Sequence, residues 1–416
     1  MSNVKKPELL VPAGSLEVLK TAVRYGADAV YIGGEAFSLR AKAKNFSPEE
    51  MAEGIRFAHE NGVKVHVTAN IYVHDRDMDE AARYFEELKG LHPDAILVAD
   101  PGMFTLEREI CPEIPVHNST QANNTNYKTF EFWHKLGAER VVCAREMTLE
   151  EIKALRDKIP EDMDIECVIH GAMCISYSGR CLLSAYMTGR SANLGECTHP
   201  CRWKYALVEE QRPGEYMPVD ENDRGTFIFN SKDLCMIEHI PEMIGAGINS
   251  FKIEGRMKTA LYVATVARTY RKAIDDWTTD PQIYRENLEW YKSEIAKCTY
   301  RNYTTGFYFG SPGEESQIYD NSTYVVEYVF LGIIEEVTDD GRIRLTQKNK
   351  FCVGDTIEIM KPGGENIFAK AERIESEDGI SQESAPHACQ VIYVTLDCSE
   401  IGGTKVQAGD VLRMKA

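Results

Sequence analysis

Between His170 and Tyr205 the sequence reads HGAMCISYSGRCLLSAYMTGRSANLGECTHPCRWKY, and four of these thirty-six residues are cysteines, Cys174, Cys181, Cys197 and Cys201. The gaps between them are six, fifteen and three residues. Thiolates are natural ligands for soft metal centres. Four of them suit an iron–sulfur cluster or a structural zinc ion. Tight Cys-x-x-Cys knuckles, which zinc usually favours, are missing here, and so is a Cys-x3-Cys-x2-Cys radical-cluster run. Spacing therefore favours a cluster, with zinc and ordinary thiols as the rival readings.

The neighbours of these cysteines bear on the same question. Arg180, Arg190, Arg202 and Lys204 outnumber the one acid of the segment, Glu196. Such a basic segment suits an anion or a phosphate backbone, or else is a solvated loop that balances cluster charge. Tyr177, Tyr186, Trp203 and Tyr205 could stack bases or pack around a buried cluster. Of the other cysteines, Cys111, Cys143, Cys298, Cys352, Cys389 and Cys398 read as buried or incidental thiols. Cys235, just after Asn230-Ser231-Lys232-Asp233, reads as a helical core thiol, with alternate ligation as second choice.

Bulk properties set the frame. The 416-residue chain is 43% hydrophobic and 27% charged, as expected of a globular protein with a large core. Its formal charge of −18 argues against broad, nonspecific binding to nucleic acid, yet leaves room for a local basic site. Met1 to Glu8 lacks a signal-type apolar core, and no run of about 18 uncharged apolar residues occurs. A cytoplasmic location without a membrane partner is expected. In that compartment thiols stay reduced, so clustered cysteines point to metal or redox chemistry.

The elements that must position these residues alternate. Short apolar runs at 9–11, 29–32, 64–68, 95–98, 114–117, 140–143, 165–169 and 250–253 each precede or follow a helical pattern. Ser15, the Ser47/Glu50 pair and the Thr148/Glu151 pair are helix-start signals. Eight strands alternating with helices predict an α/β fold, a (β/α)8-like (TIM-type) barrel, with an open doubly wound sheet as the rival. In either fold the C-terminal strand ends carry function. Those ends hold Asn70, Asp100, Asn118, Arg145, His170, Glu254 and Arg256. The cysteine segment falls after the seventh strand, an insertion at about 170–235. A helix is expected from Leu234 to Ile244, and others over Thr259–Trp277 and Pro281–Lys297. The barrel domain then spans 1–300, a linker 301–322, and a small C-terminal β-barrel 323–416, rich in Val, Ile and Thr.

Several of these segments resemble one known family. Pro7-Glu8-Leu9-Leu10-Val11-Pro12-Ala13-Gly14-Ser15, with Tyr25-Gly26-Ala27-Asp28-Ala29-Val30-Tyr31, is similar to the opening of the peptidase U32 family. His170-Gly171-Ala172-Met173-Cys174, Ser178-Gly179-Arg180-Cys181, Cys197-x3-Cys201-Arg202-Trp203 and Asn230-Ser231-Lys232-Asp233-Leu234 resemble its central signature. The likeness spans about residues 5–300, and the tail resembles the family's C-terminal domain more weakly. Well-understood members are oxygen-independent hydroxylases of tRNA, ribosomal RNA or ubiquinone precursors. In length, tail and the Cys-Arg-Trp run this chain most resembles the tRNA branch, which makes 5-hydroxyuridine at the wobble position and depends on prephenate.

The resemblance implies a 4Fe–4S cluster on Cys174, Cys181, Cys197 and Cys201, tRNA as a partner and prephenate as co-substrate. Prephenate is a small-molecule dicarboxylate, and its site should offer cationic forks. Arg40, Arg145, Lys252 and Arg256 are placed for that, each with a salt bridge as its plainer role. His170 is a candidate general acid–base group or a hydrogen-bond donor to the cluster loop. Asn118 and Gln121 suit base-edge recognition or loop capping. Glu254 would orient Arg256 or neutralise Lys252. Redox turnover also admits an electron-donor protein, which no sequence feature marks.

The family's name keeps a peptidase or collagenase reading open. No His-Glu-x-x-His or Gly-x-Ser-x-Gly occurs, although Cys174 with His170 is a conceivable nucleophile pair. The third reading is a noncatalytic RNA-binding or assembly protein with a structural metal.

Overall fold

The eight apolar runs form eight parallel strands, and the last of them pairs with both the first and the seventh. In a computed structural model, residues 5–37, 45–174, 176–205, 207–208, 216–217, 226–227, 231–312, 325–363, 365–397, 400–401 and 404–416 are described. The strands are β1 (Glu8–Pro12), β2 (Ala29–Ile32), β3 (Lys64–Ala69), β4 (Ala95–Val98), β5 (Val116–Asn118), β6 (Ala138–Val142), β7 (Asp164–Ala172) and β8 (Ser250–Ile253). Register runs Glu8↔Ser250 between β1 and β8, and Ser250↔Glu166 between β8 and β7. That double pairing closes the barrel and excludes the open sheet.

Local chemistry explains the helices between the strands. Ser15 caps α1 (Leu16–Arg24) by accepting from the Val18 amide. Ser47 and Glu50 form a capping box on α2 (Pro48–Glu60), with Pro48 where its missing N–H costs nothing. Thr148 and Glu151 do the same for the helix Leu149–Arg156. Strand side chains alternate between the two faces of the barrel wall. Leu9, Val11, Val30, Ile32, Val65 and Val67 face outward into the main apolar core. Leu10, Ala29 and Tyr31 form a separate small cluster. Polar groups share the interior with them, including His66, His117, Arg140, Glu166 and Lys252, all buried.

Two expected helices differ. Strand β7 runs on to Ala172, and the backbone beyond the barrel ladder needs a partner. Asp233–Cys235 supplies it as a short antiparallel strand, Asp233 opposite Ala172. The helix expected from Leu234 therefore begins only at Ile240, where Pro241 sits in its first turn. The helix expected over 281–297 breaks at Asn287 into Pro281–Glu286 and Leu288–Ile295. Asn287 instead donates to Asp276 Oδ2 at 2.8 Å. Residues 301–312, expected as linker, pack on the barrel. Tyr303–Thr304 pairs with Asp233–Leu234, and the Tyr308 hydroxyl donates to the Val168 carbonyl at 2.6 Å.

The tail closes into a six-stranded antiparallel barrel. Its strands are β9 (Tyr328–Val337), β10 (Ile343–Thr346), β11 (Thr356–Met360), β12 (Ile367–Ser376), β13 (Val391–Leu396) and β14 (Val411–Lys415). They pair in the order β11-β14-β9-β10-β13-β12, with β12 returning to β11. The tail has its own core around Leu331, Ile343, Ile357 and Ile392. It docks on the main barrel through Tyr25, whose hydroxyl donates to the Met360 carbonyl at 2.6 Å and accepts from the Val411 amide at 3.0 Å. Beside it Arg413 bonds Glu294 and Glu358, and Arg268 bonds Glu294, all four buried. Among the described residues no helix is long and apolar enough to cross a membrane.

Candidate functional site at the barrel mouth

A cavity of about 440 Å³ opens at the C-terminal ends of the strands. The barrel contributes Tyr31, Thr68, Asn70, Gln121, Arg145, Lys252, Glu254, Arg256 and Lys258 to its lining. The insertion contributes Cys174, Cys181, Cys197, Cys201, Gly179 and Arg190. All four cysteines of the cluster thus share one wall space, and all are partly exposed.

The insertion is latched to the barrel by Tyr72. The Arg180 guanidinium lies 4.2 Å from the Tyr72 ring centre and donates to its hydroxyl at 2.6 Å. Asn193 bonds the backbone of Tyr72 in both directions, at 3.1 and 3.0 Å. The second pair of cysteines is tied to the helix Leu183–Thr188, because the Thr198 amide donates to Ser184 Oγ at 3.0 Å. The His199 amide donates to Cys197 Sγ at 3.4 Å.

The four thiols are a soft donor set. Among the described residues no three His, Cys, Asp or Glu side chains converge on a single point. One zinc ion would gather its sulfurs at about 2.3 Å. Four thiols lining one cavity are the donor set of a polynuclear group, in which each metal atom would take its own cysteine.

Charge in the cavity is lopsided. Among the described lining residues, Arg145, Arg190, Lys252, Arg256, Lys258 and Arg301 face one carboxylate, Glu254. Some of these cations have partners. Lys252 Nζ donates to Glu166 at 2.8 Å and lies 4.5 Å from the Tyr31 ring centre. Arg256 donates to Thr68 Oγ1 at 2.9 Å, Arg145 to the Ala172 carbonyl at 3.3 Å, and Arg301 pairs with Asp233 at 3.5 Å. Glu254 accepts from the Tyr31 hydroxyl at 3.2 Å. The excess positive charge suits an anionic occupant.

Of the residues expected from sequence, the cavity collects the four cysteines, Gln121, Arg145, Lys252, Glu254 and Arg256. His170 is not in its lining. It is buried behind β7 among Tyr262, Tyr270 and Tyr303, with the Tyr270 hydroxyl 3.4 Å from Nδ1. Burial, with Lys258 nearby, pushes its pKa down to about 3, so it is neutral and serves packing. Cys174 and His170 accordingly do not face each other across the cavity. Asn118 is also behind the lining, fully buried, donating to the Val98 carbonyl and accepting from Asn124 at 2.7 Å. Arg40 lies outside the described residues. Sequence reasoning missed Tyr31, Thr68, Lys258 and Arg301 as lining residues. Lys258 follows Arg256 by two positions and was within reach of the strand-end argument; Arg301 carried no local signal.

The whole chain matches known proteins. Residues 14–318 match the model of peptidase family U32, and residues 326–413 match that family's C-terminal domain. The chain belongs to the peptidase U32 family. A Bacillus subtilis relative named tRNA hydroxylation protein P1 is 44% identical over 94% of this chain and 92% of its own length. The Escherichia coli tRNA hydroxylation protein P is 38% identical, covering 92% of each chain. A second E. coli relative, a 23S rRNA 5-hydroxycytidine synthase, is 38% identical over 64% of this chain and 39% of its own.

Proposed function

We propose that this U32 protein hydroxylates a pyrimidine of RNA at C5, forming 5-hydroxyuridine at the tRNA wobble position with prephenate as co-substrate. The observation that carries this reading is the pooling of four thiols and a surplus of cations in one barrel-mouth cavity. The names of the relatives, which act on tRNA and on ribosomal RNA, point the same way.

Cys174, Cys181, Cys197 and Cys201 would hold a 4Fe–4S cluster, which when bound supplies one-electron transfer. The chain's own residues do the rest. Arg145, Arg190 and Arg256 present guanidinium forks for the two carboxylates of prephenate. Lys252, seated between Glu166 and the Tyr31 ring, adds a fixed point charge. The Tyr31 hydroxyl, shared between the Ile253 carbonyl at 3.0 Å and the Glu254 carboxylate at 3.2 Å, orients that carboxylate at the mouth, where it would accept a proton. Within the insertion, Tyr177, Tyr186 and Trp203 are exposed, Tyr186 by 88%, and so is Arg180. Aromatic faces with a cation suit unpaired RNA bases.

The test is anaerobic purification with iron and sulfide analysis, beside mass spectrometry of tRNA nucleosides from cells lacking the protein. The expected result is about four irons per chain, lost in Cys197→Ser, and disappearance of 5-hydroxyuridine from tRNA. A protein free of iron after anaerobic reconstitution would overturn the redox mechanism. Unchanged tRNA nucleosides would overturn the substrate.

A further inference from the structure

Gln121 is the most anomalous polar group in the cavity. It sits in the short turn Thr120–Ala122 after β5, is fully buried, and lines the cavity. Neither atom of its side-chain amide, Oε1 nor Nε2, has a hydrogen-bond partner among the described residues. Leaving a buried amide unpaired is costly, and such a group in a folded protein calls for a ligand or water. The backbone around it is committed, because the Gln121 carbonyl accepts from the Tyr72 hydroxyl at 3.0 Å and from Asn123 at 3.0 Å. Only the side chain is left open.

The cysteine loop is shaped to keep it so. Gly179 lies between Cys174 and Cys181, and a Cβ there would stand 2.6 Å from Gln121 Nε2. Its φ of +72° also favours glycine. The loop thus passes against the amide without a side chain that would bond it or push it aside. Asn70 in the same cavity makes a useful contrast. Its Nδ2 donates to Ser119 Oγ at 3.1 Å, which fixes its unpartnered Oδ1 as an acceptor. Nothing fixes Gln121 in that way.

We propose that Gln121 is the residue that reads the pyrimidine edge of the RNA substrate, and that it reads uracil and cytosine alike. This rests on the RNA reading given above. A primary amide presents one donor and one acceptor side by side. Toward uracil, Nε2 donates to O4 and Oε1 accepts from N3–H. Toward cytosine the amide turns over, so that Oε1 accepts from the N4 amino group and Nε2 donates to N3. The turn breaks no protein hydrogen bond among the described residues, since the Gln121 side-chain amide has none to break. Choice between the two bases must then come from elsewhere, through the rest of the RNA. The family contains named relatives of both kinds, for tRNA and for a ribosomal 5-hydroxycytidine.

The experiment measures binding of short RNA stem-loops to the anaerobically purified full chain, wild type and two variants. The stem-loops differ only at the unpaired target position, which carries uridine, cytidine or an abasic ribose. For the wild type, uridine and cytidine loops should bind within about 5-fold of each other, and the abasic loop roughly 5- to 100-fold more weakly. Gln121→Met, which keeps side-chain length, should bind all three loops like the wild type binds the abasic one. Gln121→Glu, an acceptor only, keeps the bond from uracil N3–H or from the cytosine N4 amino group but loses its own donor, so uridine and cytidine loops should both bind roughly 10-fold more weakly than to the wild type. Melting temperatures and iron content near wild type show that the variants are folded.

Three results would overturn the proposal. Gln121→Met could bind uridine and cytidine loops as tightly as wild type, in which case a water satisfies the amide. The wild type could separate the two bases by more than about 50-fold, in which case the amide is fixed. The abasic loop could bind as well as the others, in which case no base edge is read. Failure of every loop to bind the iron-loaded wild type would instead remove the RNA reading itself, and this proposal with it.

Discussion

The two ends of the main barrel treat buried charge in opposite ways. At the end where the strands begin, acids and bases are matched. Arg140 bonds Glu8 at 2.5 Å, Asp164 at 3.0 Å and Glu166 at 3.4 Å. Ser250 donates to Glu8 at 3.1 Å, and Lys252 closes the column by bonding Glu166. At the mouth, among the described residues, cations outnumber acids and the Gln121 amide has no partner. A matched network specifies a fold, because removing one member strands the others in low dielectric. A wall on which cations outnumber acids favours an anionic occupant instead. The same barrel thus separates what holds it together from what it holds.

The sharpest way to break that comparison is Arg140→Met. It leaves Glu8 buried without its main partner and Glu166 with Lys252 alone, and a loss of about 3–5 kcal/mol is expected in denaturant unfolding. A loss below about 1 kcal/mol would show that the column does not stabilise the fold.

The next effect is a pH dependence centred on Glu8. Burial alone would raise its pKa, but the Arg140 guanidinium overrides this, with help from His66 and Ser250, and brings it to about 2. A depressed folded-state value means stability that is present above the unfolded-state value, near 4.3, and is lost as pH falls through 2. The contribution is on the order of 3 kcal/mol. Glu8→Gln should flatten the stability curve between about pH 4.5 and 2, measured by chemical unfolding across that range. An unchanged slope would place the titration on another group.

The smallest effect has the opposite sign. Gln121→Met exchanges an unpaired buried amide for an apolar chain of similar length, so stability should hold or rise, by up to about 1 kcal/mol. A clear loss in the unfolding free energy would mean that the amide is already satisfied, and the contrast between the two ends would weaken.

Much of this was legible before any coordinates. The eight apolar runs, the capping pairs at Ser47/Glu50 and Thr148/Glu151, and the β-rich tail all follow local rules and emerged as expected. Strand ends pointed to Arg145, Lys252, Glu254 and Arg256 because side chains there must face the mouth. What failed was non-local. The 234–244 segment has a helical pattern, yet the overhang of β7 captured its first residues as a strand. His170 and Asn118 sit at strand ends just as Glu254 does. Their burial is decided by what lies over them, Tyr262, Tyr270 and Tyr303 in one case and Asn124 in the other. Arg301 reaches the cavity only because residues beyond the barrel pair with the strand at Asp233.

The rivet at Tyr25 implies an unequal dependence between the two barrels. Met360 and Val411, which bracket its hydroxyl, count among the apolar core of the main barrel although they belong to tail strands. The tail also has a separate core of its own. A chain severed between the two would therefore release a small barrel that keeps its interior. The larger one would be left with Tyr25, Arg268 and Glu294 uncovered, and it is the larger one that carries the cysteines.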